Sequence, residues 1–280
     1  MNTDTPSAAA PDIRQIALIA GAGDFPKLIA TSARKSGVNV VTIGIEDFAS
    51  PELEGLSNRF YWVKLGQAAR CLEILRENNC HDVTMAGRVP HTSIFQYRHF
   101  DATALKLLAK SVSRRADGLL RAAVQSLEEE GLRVLDSSLF LKSLMPKAGL
   151  LTPNRPLDDR ERDDVEFGYP IAKVVAGQDI GQTLVVKERS VVAVEGFEGT
   201  DECIRRAALL AGPGCVVIKV SKPKQDLRFD IPVIGKTTID VMIETGCTAL
   251  AISANESLFF DRDYVVSKAH EGGVGIVAVG

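Results

Sequence analysis

Eleven residues, Lys222-Pro-Lys-Gln-Asp-Leu-Arg-Phe-Asp-Ile-Pro232, hold two carboxylates, three cations and two prolines. Asp226 and Asp230 are hard oxygen donors that could hold a divalent metal ion. Lys222, Lys224 and Arg228 could hold phosphate oxygens. The opposing reading is a solvated loop whose charges cancel one another. Placement favours chemistry. The segment follows the apolar run Cys215-Val-Val-Ile-Lys-Val220, which reads as a buried strand, and precedes Thr238–Gly246, which reads as a helix closed by glycine. Strand-to-helix connections are where α/β proteins concentrate their functional residues.

Other stretches carry weaker signals. Gly21-Ala-Gly-Asp-Phe-Pro26 resembles the opening of a dinucleotide-binding loop, with Pro26 in the place of the third glycine. That substitution weakens a nicotinamide site but leaves phosphate or ribose binding at a helix N-terminus open. Arg88, in Ala86-Gly-Arg-Val-Pro-His91, is a candidate clamp for phosphate or carboxylate on the same sheet edge. His91 and His99 are too isolated to argue for metal ligation. Gly199, Thr200 and Asp201 fall at a helix start and suit capping or anion binding, with capping by Thr200 or Asp201 the plainer expectation. The chain shows no Gly-x-Ser-x-Gly elbow, phosphate-binding Walker loop or His-x-x-x-His pair. Covalent Ser or Cys catalysis is therefore not indicated, and acid- and metal-assisted chemistry on a phosphorylated substrate is.

These residues need a scaffold, and the apolar pattern supplies an alternating one. Ile16–Ala20, a helix over 26–36 and Val38–Ile43 form a βαβ unit, for which a right-handed crossover is expected. Phe60–Lys64, a helix near 67–77 and Asp82–Met85 continue the alternation. Helices at Ala102–Val112 and Asp117–Glu130 precede a strand at Arg133–Asp136. The fold class expected is α/β with two domains, an N-terminal Rossmann-like doubly wound parallel sheet and a C-terminal mixed α/β domain. A flexible tail at 1–13, a first domain at 14–144, a linker at 145–157 and a catalytic domain at 158–280 are the expected bounds. Asp158-Asp-Arg-Glu-Arg-Asp-Asp164 reads as the exposed start of a helix, acidic as the helix dipole favours. A hairpin over 183–195 follows.

Composition narrows the function classes. A formal net charge of -3 and no basic run interleaved with aromatics give no basis for nucleic-acid binding. Five widely spaced cysteines without a Cys-x-x-Cys suggest reduced thiols in a cytoplasmic protein. No apolar run approaches the ~20 residues of a membrane span, so membrane contact would be peripheral.

Four segments together resemble one family: Leu18–Pro26, Asp117-Gly-Leu-Leu-Arg-Ala122, Ala193-Val-Glu-Gly-Phe-Glu-Gly-Thr-Asp201 and Lys222–Pro232. They are similar to the UDP-2,3-diacylglucosamine pyrophosphatases of lipid A biosynthesis, of the LpxI type. Ala116-Asp-Gly118 departs from the expected Gly-Asp-Asp, so only Asp117 is carried over. The resemblance implies hydrolysis of the pyrophosphate bond with Mg²⁺, water attacking the β-phosphorus to give UMP and 2,3-diacylglucosamine 1-phosphate. It implies a catalytic aspartate, Asp226 by preference and Asp230 as the alternative. The metal would lie on these two, with Lys222 and Arg228 neutralising charge. Gly21, Gly23, Asp24, Phe25, Arg88, Asp117, Gly199, Thr200 and Gln225 would contact substrate. The implied partner is the UDP-linked diacylated lipid, met at the cytoplasmic face of the inner membrane. A homodimer is expected only because dimers are the commonest assemblies. The rival readings are a nicotinamide-dependent oxidoreductase, prompted by the glycine loop with Glu46 and Asp47, and a non-catalytic nucleotide- or lipid-binding module.

Overall fold

The computed structural model describes residues 13–89, 100–110, 116–223, 226, 228 and 231–280; the side chains of 107–110, 116, 117 and 119 lie outside that description. Two compact units result. The first is Met1–Phe140 with Leu227–Phe229, and the second is Leu141–Asp226 with Asp230–Gly280.

In the first unit β1 (Gln15–Ala20), β2 (Asn39–Ile45), β3 (Arg59–Val63), β4 (Asp82–Ala86) and β5 (Arg133–Val134) form a sheet in the order β3-β2-β1-β4-β5. Every pairing is parallel. The helices are α1 (Phe25–Lys35), α2 (Leu53–Leu56), α3 (Ala68–Glu77), α4 (Ala102–Lys110) and α5 (Ala116–Glu129). Ile16, Ala17 and Leu18 in succession are fully buried, as a strand covered on both faces requires. Helix α1 begins with Pro26 in its first turn, where a missing N–H costs nothing, and ends in Arg34 and Lys35. The strand order reverses at β1 and β4, so the crevice beyond their carboxyl ends is a ligand position of doubly wound sheets.

The second unit holds a six-stranded mixed sheet, β6-β13-β11-β9-β7-β8. Its strands are β6 (Gly149–Leu150), β7 (Thr183–Lys187), β8 (Ser190–Val194), β9 (Val216–Lys219), β11 (Ala249–Ser253) and β13 (Gly275–Val279). β9, β11 and β13 run parallel, and β6, β7 and β8 pair antiparallel. β10 (Val233–Ile234) and β12 (Leu258–Phe259) make a separate parallel pair. The helices are α6 (Asp159–Gly177), α7 (Thr200–Ala211), α8 (Lys236–Glu244) and α9 (Arg262–Glu271). One face of the sheet buries Val185, Val217, Leu250, Ile252 and Ile276 with Ile204, Ile239 and Val265 of the helices. The other buries Leu184, Val186, Val216 and Ile218 against Val165, Ala172 and Ala176 of α6.

The structure departs from sequence expectation at three places. The stretch 145–157 contributes β6 and the buried Leu151 and Leu157 to the second unit. The acid-rich start of α6 is largely an internal device. Asp158 and Glu161 form a reciprocal capping box, and Glu161 and Asp164 are fully buried. Asp164 accepts the N–H groups of Glu188 and Arg189 at 3.1 and 2.5 Å. Those two residues form the β7–β8 turn with φ of 51° and 56°, so the carboxylate pins a turn of high intrinsic cost. Third, neither Thr200 nor Asp201 caps α7: the N-cap is Gly199 at φ 83°, with no side-chain cap.

Candidate active site

In the first unit, the glycine loop and the β4–α4 connection meet at the switch point. Ala22 and Arg88 exchange backbone hydrogen bonds of 2.8 and 2.9 Å, forming an isolated bridge. A Cβ on Gly21 would stand 2.7 Å from the Arg88 carbonyl oxygen, and one on Gly87 2.7 Å from the Gly21 carbonyl carbon. Gly21 is thus required for two loops to touch. Gly23, at φ 99°, faces open space and supplies the left-handed turn. Asp24 occupies the N-cap of α1 without a side-chain cap and pairs with Lys27 at 2.8 Å; Phe25 opens the helix. The structure therefore brings Gly21, Gly23, Asp24, Phe25 and Arg88 to one edge, with Arg88 exposed. Asp117 lies in α5; its side chain is outside the described residues.

The charged segment follows the carboxyl end of β9. The ends of β8, β9 and β11 and the start of β7 share that sheet edge. Its floor is polar. Lys219 donates to Thr200 Oγ1 at 3.1 Å, and Thr200 donates to Glu195 Oε1 at 3.2 Å. The Thr183 hydroxyl lies 3.1 Å from that of Thr200. Glu195 Oε2 accepts the Gln182 N–H at 3.2 Å. Thr238 donates to Asp201 Oδ1 at 3.2 Å, tying the first turns of α7 and α8. The side chains expected to cap α7 are thus occupied with neighbouring elements.

At the other side of the β9 exit, Lys173 of α6 donates to Ser221 Oγ at 2.9 Å and to Glu256 Oε2 at 3.0 Å. Ser221 Oγ also donates to Glu256 Oε2. Burial would raise the Glu256 carboxyl, but the Ser221 and Lys173 hydrogen bonds outweigh it and hold it below its ordinary range. Sequence reading missed this group. Its available signal was position: Ser221 directly precedes the charged motif, and Glu256 follows β11 on the same edge.

Within the motif, Lys222 pairs with Asp179 at 2.6 Å. Asp226 is half-buried in the second unit. Arg228 belongs with the first unit, where it pairs with Glu128 at 2.8 Å. Lys224, Gln225 and Asp230, together with His91 and His99, lie outside the described residues. Among the described residues no group of three His, Cys, Asp or Glu side chains is placed to hold a metal ion.

A doubly wound parallel domain followed by a mixed α/β domain, whose polar carboxyl edge precedes a Lys/Asp/Arg-rich segment, defines a two-domain α/β protein. Comparison with known proteins is more specific. Residues 15–144 match the LpxI N-terminal domain and residues 147–277 the LpxI C-terminal domain. UDP-2,3-diacylglucosamine pyrophosphatase LpxI of Caulobacter vibrioides is 30% identical over 278 residues, which cover 95% of this chain and 98% of that protein. The chain belongs to the LpxI family. Likeness to solved structures is slight. Glycinamide-RNase-transformylase T from Mycobacterium tuberculosis gives a TM-score of 0.26 at 14% identity, over 49% of this chain and 38% of that one. N5-carboxyaminoimidazole synthetase from Staphylococcus aureus gives 0.25 at 16% identity, over 73% and 46%. Scores this low carry no argument.

Proposed function

We propose that this protein hydrolyses the pyrophosphate bond of UDP-2,3-diacylglucosamine, releasing UMP and 2,3-diacylglucosamine 1-phosphate. The observation that carries the reading is the 30% identity, spanning 95% of the chain, to a relative named for that activity. The Lys222–Pro232 motif, issuing from a polar sheet edge, supports it. Cleavage forms a bond from a water oxygen to the β-phosphorus and breaks the bond to the bridging oxygen, which leaves with UMP. Two adjacent phosphates repel an incoming hydroxide, so positive charge must offset them.

Asp226 orients the attacking water. Lys222 and Arg228 neutralise the charge that develops on the leaving oxygens. Both cations already sit beside a carboxylate, Asp179 and Glu128 respectively, so each exchanges part of that pairing for phosphate. Asp226 and Asp230 are hard oxygen donors of the type Mg²⁺ prefers, and would hold that ion. When bound, it supplies further charge neutralisation at the pyrophosphate. Gly21, Gly23, Asp24, Phe25, Arg88, Asp117, Gly199, Thr200 and Gln225 are proposed to contact substrate. The enzyme would work at the cytoplasmic face of the inner membrane as a peripheral protein, as a homodimer. No helix among the described residues is long and apolar enough to cross a membrane.

Hydrolysis in ¹⁸O-labelled water tests the chemistry. Label in the lipid phosphate is expected, and label in UMP would overturn attack at the β-phosphorus.

A further inference from the structure

Ser221 is the last residue before the charged motif, and it is fully buried. Three elements grip it. Lys173 of α6 donates to its carbonyl oxygen at 3.2 Å and to its hydroxyl at 2.9 Å. Glu256, beyond β11, accepts from the same hydroxyl and from Lys173. Ser253, at the end of β11, accepts the Ser221 N–H at 3.2 Å, and its own hydroxyl lies 3.0 Å from that of Tyr169, one helical turn before Lys173. Both backbone polar groups and the side chain of this single residue are therefore fixed.

Stability alone does not explain the arrangement. The Lys173 and Glu256 side chains are 25% and 50% exposed, and an ion pair that open to water is worth about 0–1 kcal/mol. What the group does control is the direction in which the chain leaves β9 toward Lys222 and Asp226. We infer that Lys173 and Glu256 are positioning residues, which set the start of the Lys222–Pro232 motif through Ser221. This rests on the proposed pyrophosphatase reading for its kinetic consequence, but the positioning itself does not.

Lys173→Met, Glu256→Gln and Lys173→Arg test it in the full chain, by UMP release and by deuterium uptake of the peptide 221–236. Lys173→Met and Glu256→Gln are each expected to lower kcat about 10- to 100-fold, the scale of a roughly 1 Å misplacement, with KM within about threefold. Uptake in that peptide rises, while other peptides and the melting temperature change little. Lys173→Arg restores most of kcat. Glu256→Gln keeps the side chain's shape, so it serves if Lys173→Met folds poorly. Unchanged kcat and uptake in folded variants would overturn the inference, as would a loss matched by general destabilisation. If wild type releases no UMP, the function fails and uptake alone decides the positioning role: unchanged uptake would overturn it.

Discussion

At the scale of single residues, half-buried Asp226 is proposed to carry the greatest chemical demand, and Gly21 is confined by neighbouring backbone. Asp226→Asn keeps the size and removes the charge. It is expected to lower kcat by about 10²–10³, the range seen when one electrostatic contact in an active site is lost. Steady-state UMP release checks this, and near-wild-type turnover would contradict the assignment. Lys222→Met should lower kcat by a similar factor, whereas Asp179→Asn, which removes the negative charge 2.6 Å from Lys222, should cost less. Gly21→Ala is a structural prediction. Its new Cβ would meet a backbone oxygen at 2.7 Å, which cannot swing aside as a side chain can. The expected loss is about 1–3 kcal/mol in urea denaturation. The dinucleotide-like spelling of Gly21–Pro26 was legible in the sequence. The glycine's actual constraint was not, because the obstruction comes from Arg88, a residue 67 positions later (88 − 21).

At the scale of elements, strands and helices were legible wherever local patterning and tertiary burial agreed. The apolar runs of β1, β2, β9 and β11 and the alternating helices follow from period and punctuation. Less was legible where long-range contacts decide. β6 has only Gly149 and Leu150, and it exists because β13 offers an edge. The acidic stretch 158–164 reads as solvated, yet Glu161 is held by Arg155 at 2.9 and 2.5 Å and Asp164 by the β7–β8 turn. Burial would raise the Glu161 carboxyl, but its hydrogen bonds, chiefly from Arg155, prevail and hold it below its usual range. A depressed folded-state pKa contributes stability that is complete above the unfolded value, near 4.3, and is lost as pH falls through the folded value. Glu161→Ala should therefore cost about 3 kcal/mol at pH 7, because Arg155 loses its carboxylate partner. The cost should shrink below pH 4, as measured by urea unfolding across pH. A cost independent of pH would contradict the ion-pair role.

At the scale of the whole molecule, all five cysteines are free thiols, and Cys80, Cys203, Cys215 and Cys247 are buried. Burial pushes the Cys71 and Cys203 thiols up to about 12 and Cys247 up to about 11. Cys203 and Cys247, both buried in the second unit's core, should resist iodoacetamide at pH 8 in the folded protein and react fully in urea. Rapid labelling of either in the native chain would show that this core opens. The two-part organisation was legible from the alternation of elements, and the family from four short segments. Which side chains converge on the β9 exit was not, since Lys173, Ser221 and Glu256 are separated by 48 and 35 residues. Activity is the claim on which the rest of the chemistry depends. The most direct measurement is UMP release from UDP-2,3-diacylglucosamine with Mg²⁺, by wild type beside Asp226→Ala and Asp230→Ala. Turnover by wild type, and its loss in one folded variant that still binds substrate, is the expected result. No UMP from well-folded wild type, with or without divalent metal, would contradict the proposed hydrolysis and leave a nucleotide- or lipid-binding protein.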